Sequence, residues 1–279
     1  MIPRLRITEV PLAGGPDADP AQQLRALRRG LLPGLTLQAA AGRPFGFCWT
    51  RPVAGGPIEV RADVCPVGAT AVPADAVDFP CWVDVDGVHD VLTALPEAEV
   101  EPAGLLEDLV DGLPPFAWLV TAVPVVDRGE LLDDLHLRMT IGLDREKISG
   151  RDALELERNR ARYRDFSAAQ GGLWTVQIRA GAVDEPTARM VAQTLCGTAD
   201  VHETPYMLTV RGDSAGFQAT GELLAAVARP PVREIAGVRA VEQVRFDLTP
   251  ETPSDGIPLG DVIDTAGRPV APMTVSRDT

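Results

Sequence analysis

Acid–base or metal chemistry in this chain would have to come from three histidines that each lie close to an acidic residue. The pairs are His89 with Asp90, His136 with Asp134, and His202 with Glu203. Such groups transfer protons or bind a metal only where their side chains converge in space, and their positions along the chain do not establish this. Ordinary loop or strand-end histidines are the favoured interpretation. The sequence therefore predicts no catalytic residue, no metal ligand and no cofactor-binding residue.

An acidic group and a group of arginines could each bind a ligand or have only a structural role. Glu130, Asp133 and Asp134 could bind a divalent cation, but a solvated helix start is favoured. Four arginines could contact phosphates: Arg158, Arg160, Arg162 and Arg164. Ion pairs across helical turns with nearby acids are favoured instead, the acids being Glu155, Glu157 and Asp165.

The aromatic and sulfur side chains favour a packed interior. The tryptophans fall inside predicted strands, where a core role is favoured over a base-stacking platform: Trp49, Trp82, Trp118 and Trp174. The cysteines form no CxxC pair and no Cys-His zinc spacing, which favours buried thiols: Cys48, Cys65, Cys81 and Cys196.

The phosphate-binding loop motif is absent from the sequence, and the GxSxG pattern of acyl-transfer enzymes occurs once. A phosphate-binding loop needs GxxxxGK followed by Ser or Thr, but the only lysine, Lys147, lies in GLDREKIS with Glu146 where the glycine must be. Residues 212–216 read GDSAG and have the GxSxG spacing around Ser214, but this short pattern alone does not establish a nucleophile elbow. The residues around Lys147 cannot form a phosphate-binding loop, so hydrolysis of a nucleotide is not expected from this stretch of chain.

Composition indicates which classes of partner and which cellular compartment to expect. The formal net charge of −14 argues against a surface that neutralises nucleic-acid phosphates. The opening MIPRLRITEV lacks the apolar stretch of a signal peptide, and no apolar run reaches the ~18 residues of a membrane span. We therefore expect a cytoplasmic protein without direct membrane contact and without nucleic-acid binding in this region.

Patterning predicts the elements that would position these residues. PFGFCWTR and PIEVRADV alternate as a hairpin, FPCWVDVDG follows as a strand closed by an Asp-Gly turn, and QQLRALRRGLL has helical spacing. GLLEDLVDGL predicts a helix, FAWLVTAVPVV a strand and LHLRMTIGL a further strand. A helix over 150–169, LWTVQIRA, a helix in DEPTARMVAQTLCGTAD, PYMLTVR, a helix over 214–228 and VEQVRFDL complete the pattern.

This pattern predicts an α+β fold, a mixed β-sheet with helices packed on it and a β-rich front part. Clusters rich in proline, glycine and acids at 14–20 and 94–104 are typical of loops or linkers. We predict a β-rich subdomain over 1–100, an α/β subdomain over 101–250 and a connector over 251–279.

The last segment, IPLGDVIDTAGRPVAPMTVSRDT, resembles a connector of the HerA/FtsK-like superfamily of P-loop ATPases, which includes the type IV secretion motors. In that family a phrase of the type GxxLGxVxDxxGxPVxPxxVxxxDL runs into the strand before the phosphate-binding loop. The matching residues are Gly256, Leu259, Gly260, Asp264, Gly267, Pro269 and Val270, and Asp278 lies one position before the final acid of the phrase. The stretch from RYRDFSAAQ to PYMLTV also resembles the α+β region ahead of the motor, so the resemblance covers roughly 150–279.

The resemblance implies that the natural protein continues beyond Thr279 into an ATPase core, and that this chain is an amino-terminal accessory region. Its expected partners are that core, neighbouring subunits of a ring and protein cargo. Walker A, Walker B and any arginine finger are absent, so the resemblance assigns no catalytic residue and no cofactor here. Val262, Ile263, Val270 and Val275 are expected to enter a sheet.

Two alternatives remain open from the residues alone. One is a self-contained α/β enzyme that uses the histidines and nearby acids in a cleft. The other is a scaffold that binds a partner through an exposed sheet edge.

Overall fold

The chain forms two compact units, Met1–Val241 and Glu242–Thr279. The computed structural model describes residues 2–12, 19–64, 69–90, 104–143, 149–202, 204–242, 257–263 and 269–275. Most of the predicted loops at 14–20 and 94–104 lie outside these ranges, as does Cys65. In the described part of the chain, no helix is both long and apolar enough to cross a membrane.

Ten strands of the described chain form one sheet. They are β1 (Leu5–Leu12), β2 (Phe45–Arg51), β3 (Glu59–Ala62), β4 (Thr70–Pro73), β5 (Cys81–His89), β6 (Phe116–Pro124), β7 (Leu173–Ala182), β8 (Tyr206–Arg211), β9 (Phe217–Thr220) and β10 (Arg239–Glu242). The order is β10-β1-β3-β2-β6-β7-β5-β8, with β4 also paired to β1 and β9 to β7. Pairings with a defined register are antiparallel, and strands from both sides of residue 100 alternate across the sheet.

The helices complete an α+β fold, which confirms the predicted fold class with its β-rich front part. They are α1 (Pro20–Ala40), α2 (Leu106–Val110), α3 (Arg128–Leu143), α4 (Gly150–Ser167), α5 (Glu185–Cys196), α6 (Ala199–His202) and α7 (Gly221–Val227). Asp19 caps α1 by accepting a hydrogen bond from the amide of Ala21, and Pro20 opens the helix with a preset φ.

One face of the sheet holds the main core. Helix α5 packs across β5, β7 and β8, and α1 packs against α7 and β6. Because side chains alternate along each strand, the largest apolar ones turn to this face, and Trp49, Trp118 and Trp174 are buried there. Burial of these rings, together with the aliphatic side chains around them, stabilises the fold through the hydrophobic effect.

The opposite face of the central strands is partly covered and partly charged. Phe79 and Ile2 cover a small cluster with Cys48, Ala117 and Leu119. Beside this cluster the Arg179 guanidinium lies 5.0 Å from the ring centroid of Trp82 and its Nε lies 3.0 Å from Oδ1 of Asp84. This charged region, Trp82, Asp84 and Arg179, is called the open-face cluster below.

Three local predictions were wrong. LHLRMTIGL belongs to α3 and is not a strand, since Leu135 packs on Phe166 while Leu137 is exposed. Strand β5 runs on to His89 through the Asp-Gly pair that was expected to close it. The predicted helix over 214–228 begins only at Gly221, because Phe217–Thr220 pair with β7 as β9.

The second unit contains a β-hairpin formed by β11 (Ile257–Ile263) and β12 (Pro269–Val275). The prediction that Val262, Ile263, Val270 and Val275 enter a sheet is confirmed. Among the residues of the family phrase, Leu259 and Gly260 lie in β11, and Pro269 and Val270 in β12. Gly256, Asp264, Gly267 and Asp278 lie outside the described residues.

Candidate functional site

His89 is the one predicted acid–base histidine that the structure places in a defined buried environment. It ends β5, and its Nε2 lies 3.1 Å from Oδ2 of Asp165 on α4, not beside Asp90. Its ring packs edge-to-face on Phe166 and Tyr206, with centroid distances of 5.4 and 5.0 Å. No local sequence signal identifies Asp165 as the partner, because the contact joins two elements that are far apart in the chain.

Burial controls the protonation of His89. Loss of hydration lowers the pKa of the imidazole and outweighs the nearby Asp165 carboxylate, which raises it, while Arg162 lowers it further. Its Nδ1 is buried and has no hydrogen-bond partner among the described residues. Since the side chain is 1% exposed, a substrate has no access to this imidazole in the observed conformation. The geometry suits a packed neutral histidine.

The arginines of α4 form ion pairs, although only partly with the predicted acids. Arg160 pairs with Glu157 at 2.7 Å and Arg164 with Asp165 at 3.1 Å, as expected. The other two reach across to the end of β5. Their contacts are Arg158 Nη2 to Asp90 Oδ2 at 2.8 Å, and Arg162 Nη2 donating to the His89 carbonyl at 3.0 Å. These arginines therefore hold α4 against the sheet.

A fully buried ionic network, which the sequence did not reveal, lies between α2, α6 and the segment after α7. Arg229 donates from both terminal nitrogens to the two carboxylate oxygens of Glu107, each at 2.7 Å, and from Nε to Oδ1 of Asp200 at 2.5 Å. The Arg229 and Glu107 side chains are 0% exposed and that of Asp200 is 2% exposed. Arg229, Glu107 and Asp200 are called the buried triad below.

Backbone amides donate further hydrogen bonds to the carboxylates of the buried triad. Oε1 of Glu107 accepts from the amide of Val232 at 2.7 Å, and Oδ2 of Asp200 accepts from the amide of Leu106 at 3.0 Å. The Arg229 carbonyl accepts from Nε1 of Trp49 at 3.0 Å. The triad thus joins four segments and leaves its charged atoms occupied, which is typical of a structural network.

Electrostatics keeps Glu107 and Arg229 of the buried triad ionised. Burial alone would raise the pKa of Glu107, but the charge and hydrogen bonds of Arg229 hold that pKa below its ordinary value. Burial would likewise lower the pKa of Arg229, and the two carboxylates raise it instead. An open cleft of about 460 Å³ adjoins the triad and is lined by Glu107, Asp111, Arg233, Glu234, Ile235 and Ala236. Its charges are of both signs, and Arg233 already pairs with Asp108.

The remaining predicted residues are dispersed over the fold. His136 is exposed on α3, with its ring 6.3 Å from that of Tyr163, and the side chain of His202 lies outside the described residues. Glu130, Asp133 and Asp134 are exposed on α3, and Asp134 pairs with Arg138 at 2.8 Å, as expected for a solvated helix start. Among the described histidine, cysteine and acidic side chains, no group of three could hold a metal ion.

The predicted burial of aromatic and sulfur side chains is confirmed for three tryptophans and Cys48, whereas Trp82, Cys81 and Cys196 are half-buried. Three tryptophans are in the core, and Trp82 is half-buried in the open-face cluster. Burial raises the pKa of Cys48 and of Cys196 to about 12, so both thiols stay protonated at neutral pH. Cys81 is half-buried and free of a disulfide.

No protein-family model and no curated protein matches this chain. The functional argument therefore depends on the geometry above and on the phrase in the second unit.

Proposed function

We propose that this chain is a non-catalytic accessory region of a HerA/FtsK-like ATP-driven DNA or protein translocase in the cytoplasm. In this role the region contributes to oligomer assembly and to contact with a partner or substrate. Its partners are the ATPase core of the same polypeptide, neighbouring subunits of a ring and protein cargo. ATP hydrolysis belongs to the core and not to these residues.

The observation that carries the proposal is the hairpin of the second unit. The family phrase falls on β11 and β12, and the residues from Glu242 onward group as a compact unit of their own. A separate hairpin is a suitable link between a folded accessory region and a following domain. The resemblance gives this link its expected neighbour, a P-loop ATPase core.

The first unit supports a binding role over a catalytic one. His89 and the buried triad are enclosed. Of the two predicted histidines whose side chains are described, His89 contacts Asp165 and His136 lies beside Tyr163, so they share no partner. The net charge of −14 suits contacts with protein better than contacts with a nucleic-acid duplex.

The gene sequence downstream of codon 279 tests the proposal directly. We expect a strand followed by GxxxxGKS or GxxxxGKT within ~30 residues. A stop codon at that point, or a continuation without such a loop, would contradict the proposal.

A biochemical test uses the full-length protein. We expect replacement of the loop lysine by alanine to abolish ATP hydrolysis, whereas Asp111→Asn in the exposed cleft of the first unit should leave the intrinsic hydrolysis rate of the core unchanged. ATP hydrolysis by a protein that consists of these 279 residues alone would refute the division of labour.

A further inference from the structure

A small, solvent-open cleft between α1, α7 and the segment before β8 has an unusual concentration of positive charge. Its volume is about 280 Å³, and it is lined by Arg25, Arg28, Arg29, Leu32, Thr204, Glu222 and Ala225. The three arginines occupy positions i, i+3 and i+4 of α1, which places them on one face of the helix. We call these three residues and this space the arginine cleft.

Charge pairing in the arginine cleft is incomplete. Within the described part of the chain, Arg25 and Arg29 make no hydrogen bond and no ion pair, although most arginines of the first unit have a carboxylate or carbonyl partner. Glu222 is the single carboxylate among the described lining residues, against three guanidinium groups. In a chain with a net charge of −14, this local excess of positive charge is an exception.

One of the three guanidinium groups is held in place by the fold. Arg28 donates from Nη2 to the backbone carbonyl of Asp200, the residue whose side chain belongs to the buried triad. Arg28 is therefore tied through Asp200 to the buried triad. A preorganised cation loses less conformational entropy when it binds an anion.

We propose that the arginine cleft binds a phosphate or diphosphate group of a small molecule. Guanidinium groups donate paired, parallel hydrogen bonds that match the geometry of phosphate oxygens, and Arg25 and Arg29 supply positive charge for a multiply charged oxyanion. The volume lies just below the ~300 Å³ at which pockets for whole drug-sized ligands begin. The cleft therefore holds the anionic group, and the rest of the ligand extends into solvent.

Glu222 allows a test of whether charge controls anion binding in the arginine cleft. Its carboxylate lines the same cleft and is exposed, so it repels a bound anion. Neutralising Glu222 should strengthen anion binding, whereas neutralising Arg25 and Arg29 should weaken it. Opposite effects from two charge changes in one cleft would not arise from a general loss of structure.

Calorimetric titration of the full chain with sodium pyrophosphate at low ionic strength tests the proposal. We expect saturable binding, weakened about ten-fold or more in Arg25→Gln/Arg29→Gln because charge-assisted hydrogen bonds are lost. Glu222→Gln should bind about two- to three-fold more tightly, as expected for an exposed like-charge contact. The matched control Arg43→Gln removes an exposed arginine that follows α1, whose last residue lies roughly 16 Å along the helix axis from Arg29, and this variant should bind as the wild type does.

Glycerol 2-phosphate in a parallel titration separates the two sources of the anion. Tighter binding of glycerol 2-phosphate than of pyrophosphate identifies a monoester ligand, and the reverse order identifies a diphosphate. Absence of saturable binding of either probe to the wild type overturns the proposal. So does an equal loss in Arg43→Gln and in the double variant, because it would show only a bulk charge effect. The proposal does not depend on the motor assignment.

Discussion

Arg229 of the buried triad is enclosed and paired, whereas Arg25 and Arg29 of the arginine cleft are exposed and unpaired in the described structure. Both regions nevertheless contact Asp200. Arg229 is 0% exposed and meets two carboxylates, whereas Arg25 and Arg29 are exposed and have no partner in the described structure. The side chain of Asp200 binds Arg229, and its backbone carbonyl binds Arg28. The number of arginines alone therefore does not indicate function in this protein. An arginine that is paired with a buried carboxylate has a structural role, whereas an exposed arginine without a partner is available to a ligand.

Substitutions in the buried triad and in the arginine cleft should change the free energy of unfolding by different amounts. A buried ion pair is neutral or weakly favourable as a whole, but loss of one partner leaves a charge that water cannot reach. An exposed unpaired cation has no such dependence, and removing it also relieves repulsion from its neighbours. Four predictions follow this contrast from the most enclosed group to the most open one.

The largest effect is expected from Glu107→Gln in the buried triad. The substitution removes a carboxylate that accepts two hydrogen bonds from Arg229, so we expect a loss of about 3–5 kcal/mol in the free energy of unfolding. Urea denaturation followed by circular dichroism measures this loss. Glu157→Gln breaks an exposed pair with Arg160 and serves as the control, with an expected change below about 1 kcal/mol. Equal changes in the two variants would contradict the contrast.

A pH-dependent loss of stability is expected from His89, a buried ring beside one carboxylate. Because burial lowers its folded-state pKa below the ordinary 6.5, the unfolded chain binds more protons than the folded chain between these values. Stability is therefore full above about pH 6.5 and falls as the pH drops from there toward the folded pKa. The slope is at most about 1.4 kcal/mol per pH unit for one proton.

Substitution separates this effect from that of the buried triad. His89→Gln should flatten the slope that begins near pH 6.5, whereas His136→Gln, on the exposed side of α3, should keep it. Because the pKa of Glu107 is lowered, its contribution is present above its ordinary value of 4.5 and is lost only as the pH falls through the lower folded pKa. An unchanged slope in His89→Gln would show that another group titrates.

A smaller effect is expected from the open-face cluster, which is intermediate between the two regions. Arg179 is 38% exposed, pairs with Asp84 and lies over Trp82. We expect Arg179→Ala to lower the free energy of unfolding by about 0.5–1 kcal/mol, as for a partly exposed cation–π contact. Thermal unfolding at two salt concentrations measures the change. A loss as large as that of Glu107→Gln would place this cluster among the structural networks.

Much of the fold was predictable, because side-chain periodicity reflects which face of an element is buried. Alternation through Phe45, Phe47 and Trp49 predicted the β2–β3 hairpin, and the α4 helix begins where Ser149 and Asp152 form a capping box. Alternation misled where apolar residues lie on both sides of a helix, as with exposed Leu137 beside buried Leu135 in α3.

The sites were less predictable for a different reason. Glu107, Asp200 and Arg229 come from three distant segments, and nothing in the local sequence distinguishes a buried charge from an exposed one. The spacing of Arg25, Arg28 and Arg29 does place them on one helix face, but only the packing of α1 against α7 shows that this face borders a cleft.

We expect Arg25→Gln/Arg29→Gln to cause the smallest change in the free energy of unfolding. This variant also tests most directly whether the arginine cleft binds a ligand while the buried triad stabilises the fold. Urea denaturation of this variant and of the wild type, each with and without sodium pyrophosphate, measures structural and ligand-binding contributions in one experiment. Without the anion, we expect the two proteins to agree within about 0.5 kcal/mol. With the anion, the wild type should gain stability and the variant should not. A loss of several kcal/mol in the variant without the anion, or an equal gain in both proteins, would contradict the division between structural and ligand-binding arginines.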